Sequence, residues 1–97
     1  MRNWLLAALA CMLLQAGMAR AAEPPGVASC SGCHAISKAV DTPVPRLFGR
    51  KADELATAMR EYKAGTRPGT IMGRLAKGFS DEEIAAICDW FAGQPDK

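Results

Sequence analysis

Most of what this chain lacks narrows the answer. Beyond its first 21 positions the 97-residue sequence has no alternation of apolar and polar residues over a strand's length. A sheet is therefore not expected, nor the βαβ setting in which a redox dithiol is usually found. There is one histidine in the whole chain. A closed zinc site wants four soft ligands. Past those 21 positions, beyond one local cluster containing that histidine, only a single distant cysteine remains to complete it. Net charge is only +2, too weak a basic balance to point to nucleic acid. The longest apolar run, Trp4 to Met18, is about fifteen residues against the roughly 20 needed to span hydrocarbon. The length permits one domain.

That apolar run has the form of an export signal covering residues 1–21. Arg2 gives a positive start, and Ala19-Arg20-Ala21 gives the small-x-small cleavage pattern, so the mature chain is expected to span 22–97. An uncleaved anchor is disfavoured by the run's shortness. Cys11 lies in the middle of the run and is expected to leave with it. The mature domain is small enough that its core is marginal, and such exported domains usually carry a covalent or metal staple.

The staple is visible in Cys30-Ser31-Gly32-Cys33-His34. Two thiols three positions apart on one helical turn can reach both vinyl groups of a single porphyrin. The next residue offers an imidazole nitrogen to the iron from the same side. C-x-x-C-H is the attachment pattern for a c-type haem, and the only histidine falls where the pattern requires it. A Cys30–Cys33 disulfide with a bystander histidine is the alternative, and it lacks its usual structural context. For zinc, Cys88 would be the one further ligand.

The rest of the mature chain reads as short helices joined by loops. Val27 to Ala35 is a short helical stretch bearing the motif. Pro43 and Pro45 exclude a regular helix from the following loop. Ala52 to Lys63 is predicted helical, with Asp53 and Glu54 in its first turn, Arg60 and Lys63 in its last, and Gly65 as a stop. Leu55, Ala58, Met59 and Tyr62 form its apolar stripe. Gly65 to Gly73 is a second loop, with a turn of helix over Arg74 to Lys77. Ser80 and Glu83 spell a capping box, with Phe79 and Ile84 able to staple across it. Ile84, Ile87, Cys88 and Phe91 make the buried face of the helix that follows, which Gly93 and Pro95 end. The fold class is all-α.

His34 leaves the far side of the iron to be filled, and with no second histidine a bis-imidazole site is excluded. Met59, Met72 and Cys88 are the soft candidates. Met59 and Cys88 sit on apolar helix faces, where core filling explains them. Met72 lies in the loop Pro68-Gly69-Thr70-Ile71-Met72-Gly73, where packing does not explain it, and is the expected ligand. An open or water-filled position is the remaining alternative. A Met/His pair would saturate the iron and raise its potential, which suits an electron carrier. The Pro45 carbonyl is the expected acceptor for the other ring N–H of His34, against the plainer reading of Pro45 as a rigid turn.

Taken together, Cys30-x-x-Cys33-His34, Pro45-x-Leu47-x-Gly49, a loop methionine at Met72 and a capped last helix resemble a class I c-type cytochrome over the whole mature chain. The resemblance implies a small class I fold around one covalent haem c. It makes Cys30 and Cys33 the thioether attachments, His34 and Met72 the axial ligands, and the Pro45 carbonyl the partner of His34. More narrowly, Glu61 to Ile84 is similar to the cytochrome subunits of flavocytochrome c sulfide dehydrogenases, which implies a flavoprotein partner that oxidises sulfide. The two-haem members of that family are longer, whereas this chain has one haem motif.

The expected function is periplasmic electron transfer, the chain being a carrier rather than an enzyme, with no nucleic-acid partner and no membrane span in the mature part. Charge is segregated. Arg46 to Lys77 is rich in Lys and Arg, while Asp81, Glu82, Glu83, Asp89 and Asp96 face only Lys97. Arg60, Lys63, Arg67, Arg74 and Lys77 could ring the haem edge and steer docking on an acidic partner, or be a plain solvated face. A haem protein with an open site for a small ligand is the competing function, and a small dithiol module is the third.

Overall fold

The last helix is the best specified locally and anchors the core. In the computed structural model, which describes residues 22–96, it runs Asp81–Ala92. Both arms of the capping box are formed. Glu83 N–H donates to Ser80 Oγ at 3.1 Å, and Ser80 N–H donates to Glu83 Oε1 at 3.0 Å. Removing such a cap costs a helix about 1 kcal/mol. The expected export signal, residues 1–21, lies outside the described residues.

Four helices make up the described fold, and no strand occurs among those residues: α1 (Val27–Ser31), α2 (Ala52–Ala64), α3 (Met72–Lys77) and α4 (Asp81–Ala92). The all-α class expected from the sequence is the class observed. α2 packs against both α3 and α4. It ends where Gly65 enters the left-handed region (φ 79°), with Gly65 N–H directed at the Glu61 and Tyr62 carbonyls.

A single apolar cluster joins the N-terminal helix to the rest. Val27, Leu55, Ile84, Ile87, Cys88 and Phe91 are its buried members. Leu47, Phe48, Met59, Phe79 and Trp90 pack around it, as does Cys30. Leu55 and Met59 of the α2 stripe therefore meet the inner face of α4 as their spacing predicts. Ala56 packs on the cluster in place of Ala58 and Tyr62, which are half-buried. Phe48, Trp90 and Phe91 form an aromatic trio, with Trp90 edge-on to Phe91 at 5.2 Å between ring centroids.

Two elements differ from the sequence reading. α1 stops at Ser31 rather than Ala35, because Gly32 begins a tighter turn in which Cys33 N–H donates to the Cys30 carbonyl. α3 starts at Met72, two residues before the expected Arg74. Met72 is thus the first residue of a helix, not the end of a loop.

Gly26 fixes how α1 meets α4. Its φ of 98° lies where only glycine is unstrained, and a Cβ there would stand 2.7 Å from Phe79 Cε1 and 3.0 Å from Ile87 Cδ1. Gly26→Ala is therefore expected to destabilise the holoprotein by about 1–3 kcal/mol, the range for a strained backbone position. A lowered denaturant midpoint at unchanged slope would show it; an unchanged midpoint would contradict the close packing.

Candidate haem-binding site

α1 delivers the two motif thiols differently. Cys30, on the last turn of the helix, is half-buried against the apolar cluster, and burial raises its pKa above the ordinary thiol range. Cys33, past the helix end, is exposed. Cys30, Cys33 and Cys88 are all free thiols. Among the described residues no three His, Cys, Asp or Glu side chains converge on one point, so the zinc reading has no ligand set.

His34 continues the turn, its N–H donating to the Cys30 carbonyl at 2.9 Å. Its Nδ1 lies 2.5 Å from the Pro45 carbonyl oxygen. A carbonyl can only accept, so Nδ1 carries the proton. In the neutral ring that leaves Nε2 as a bare lone pair, the form in which imidazole binds a metal.

The C-terminal end of α2 is tied to Thr66 and Arg67, which precede the Pro68–Ile71 segment that leads into Met72. Thr66 N–H donates to the Glu61 carbonyl at 3.0 Å, and Arg67 Nε donates to Glu61 Oε2 at 2.9 Å. The Arg67 guanidinium also lies over the Tyr62 ring, 5.6 Å from its centroid. The segment approaches α2 closely: a Cβ on Gly69 would sit 2.8 Å from Tyr62 Cε1. Met72, half-buried, follows directly. Met59 packs instead against the apolar cluster on α2, as a filling residue would.

No family model matches the chain. The cytochrome subunit of sulfide dehydrogenase from Chlorobaculum tepidum is 38% identical over 65% of this chain and 57% of its own length. The thiosulfate dehydrogenase electron acceptor of Stutzerimonas stutzeri is 31% identical over 75% of this chain and 36% of its own. The chain thus spans about half or less of these two relatives. Cytochrome c-554(548) of Halomonas halodenitrificans is 34% identical over 81% of this chain and 99% of its own length. That near-complete coverage decides the family. The chain is a class I c-type cytochrome.

The residues of this cytochrome fit a haem c. The thiol pair and His34 stand on consecutive turns of chain, with the imidazole held in its metal-binding tautomer. The large apolar side chains left exposed are Ile36 and Val40, just past His34, and Ile71 and Leu75, on either side of Met72. Exposed apolar side chains next in sequence to His34 and to Met72 suit a broad apolar ligand. Bound haem supplies a one-electron iron couple; the protein's part is to hold and shield it.

Cys88 is buried in the apolar cluster, and burial, with Asp89 and Cys30 nearby, raises its pKa. It is a core thiol rather than a reactive one. The basic residues divide into two groups. Lys63 is committed inside the molecule, donating to the Phe79 carbonyl at 2.8 Å and pairing with Asp81 at 3.3 Å. Arg67 is committed to Glu61. Arg74 and Lys77, both exposed on α3, make no ion pair among the described residues.

Local sequence pattern gave no sign of the Arg46–Asp96 ion pair, Nη1 to Oδ1 at 2.7 Å, which joins the loop behind His34 to the tail after α4. Hydrogen bonds from Arg46 and Lys38 hold the Asp96 carboxyl below the usual carboxylate range. A lowered folded-state pKa makes this tie a stabilising one above the unfolded pKa, and it is lost as pH falls through the folded value.

Proposed function

We propose that this cytochrome carries single electrons in the periplasm through one haem c, attached at Cys30 and Cys33 and ligated by His34 and Met72. The observation that carries the reading is the His34 Nδ1–H···O=C hydrogen bond to Pro45, which leaves Nε2 free for iron and fixes the ring. A nitrogen and a thioether together saturate the metal, favour the ferrous state and change little in geometry on reduction. Those are properties of a carrier.

The electron donor is a flavoprotein that oxidises sulfide. Support comes from the similarity to a cytochrome subunit of sulfide dehydrogenase. Arg74 and Lys77, uncommitted beside Met72, supply positive charge for steering toward an acidic surface.

Stopped-flow reduction of the holoprotein by a sulfide-reduced flavoprotein dehydrogenase tests this. The second-order rate is expected to fall with rising salt. The Arg74→Ala/Lys77→Ala variant is expected to be roughly tenfold slower at low salt, the lower end of steering effects, with the difference gone at high salt. Salt-independent rates, equal in both proteins, would contradict it.

A further inference from the structure

The hydrogen bond that orients His34 spans two loop segments, and a second bond ties the same two segments beside it. Residue 34 donates to the carbonyl of Pro45. The next residue along, Arg46, reaches back in the other direction, its Nη2 donating to the Ile36 carbonyl at 3.0 Å. The Arg46 side chain is only 18% exposed, so it is set into the fold and does not lie loosely over it.

The C-terminal tail holds that guanidinium from behind. After α4 the chain turns at Gly93, and Gln94 caps it by donating from Nε2 to the Trp90 carbonyl at 3.0 Å. Asp96 then accepts from Arg46 Nη1 on one oxygen and pairs through the other with Lys38 Nζ at 3.1 Å. The loop is also fastened to the last turn of α4 at Gly49, whose N–H donates to the Phe91 carbonyl at 3.0 Å. Gly49 has φ 73°, and a Cβ on it would approach Asp96 Cβ to 3.0 Å. The tail therefore packs onto the loop closely enough to require glycine there.

We propose that Arg46, clamped by Asp96, is a positioning residue for the His34 imidazole. It fixes the Pro45 carbonyl relative to the Ile36 segment, and thereby keeps the Nδ1 proton bonded and the ring plane constant. The proposal rests on His34 being the iron ligand, and it assigns the last turn of chain a role in tuning the metal. Hydrogen bonding at Nδ1 sets imidazole basicity, so a residue that secures the bond also steadies the potential. Asp96 is half exposed, and an ion pair of that kind adds little to global stability. The effect is therefore local, and a local readout is needed.

That readout is the rate at which the His34 Nδ1 proton exchanges with solvent, followed by nitrogen-edited NMR of the reduced, 15N-histidine-labelled holoprotein. Arg46→Gln and Asp96→Ala are each expected to speed exchange at least tenfold, while the backbone amides of Ile84 to Phe91 keep their protection. Arg46→Lys, which retains the charge and one bond, is expected to fall between. Exchange unchanged from the parent in both Arg46→Gln and Asp96→Ala would overturn the proposal. So would acceleration spread equally over α4, since that marks general loosening. The haemochrome spectrum of each variant keeps the two readings apart. Loss of covalent haem in the parent would refute the function, whereas intact haem with an unmoved His34 proton refutes only the clamp.

Discussion

Exported protein in which both Cys30 and Cys33 are serine is expected to be colourless and to lose most of its helical circular dichroism. Among the described residues the buried apolar set is Val27, Leu55, Ala76, Ile84, Ile87, Cys88 and Phe91. A domain of this size buries only roughly 60% of its unfolded surface, and a core that small is marginal without a staple. The two thioether bonds are the proposed staple. Serine cannot form them, and His34 alone would hold the porphyrin reversibly. The single Cys30→Ser variant, keeping one attachment, is expected to retain colour at lower stability. A double variant that stays red and helical would show that the fold does not depend on the covalent link.

Met72→Ala is expected to abolish the iron–methionine charge-transfer band of the ferric protein and open the iron to carbon monoxide. The midpoint potential should drop on the order of 100 mV, a modest part of the roughly 0.8 V over which axial ligands set haem potentials. Loss of a soft sulfur withdraws the preference for ferrous iron. Met59→Leu is the matched control. Met59 packs against the apolar cluster, so the band should survive and only stability change slightly. Reversal of the two outcomes would move the sixth ligand to Met59. Rapid carbon monoxide binding by the unaltered protein would favour the open-site reading of the haem.

What was legible in the sequence was local. The Ser80–Glu83 capping box, the buried face of α4 and the Leu55 and Met59 positions of the α2 stripe follow from spacings of three and four residues, and each is where the pattern put it. The contact between His34 and the Pro45 carbonyl was legible too, because a histidine meant for iron needs an acceptor on its far nitrogen and the proline loop is the near candidate. The start of α3 was harder to see. Gly73 lowers helix propensity in its first turn and Ile71 offers no side-chain cap, so nothing marks Met72 as helical. The end of α1 was hidden for a related reason, since the Gly32 turn continues the backbone direction without continuing the helix. The charged ring was read from composition alone, which cannot tell the tethered Lys63 and Arg67 from Arg74 and Lys77, which make no ion pair among the described residues. The Arg46–Asp96 contact joins residues 50 apart, and no periodicity reports on such a pair.

The intact mass of the protein, exported from a host able to mature c-type cytochromes and then denatured, tests the central claim most directly. The account predicts a chain that begins at Ala22 and carries one iron porphyrin that denaturant cannot remove. The mass of the bare polypeptide would contradict it.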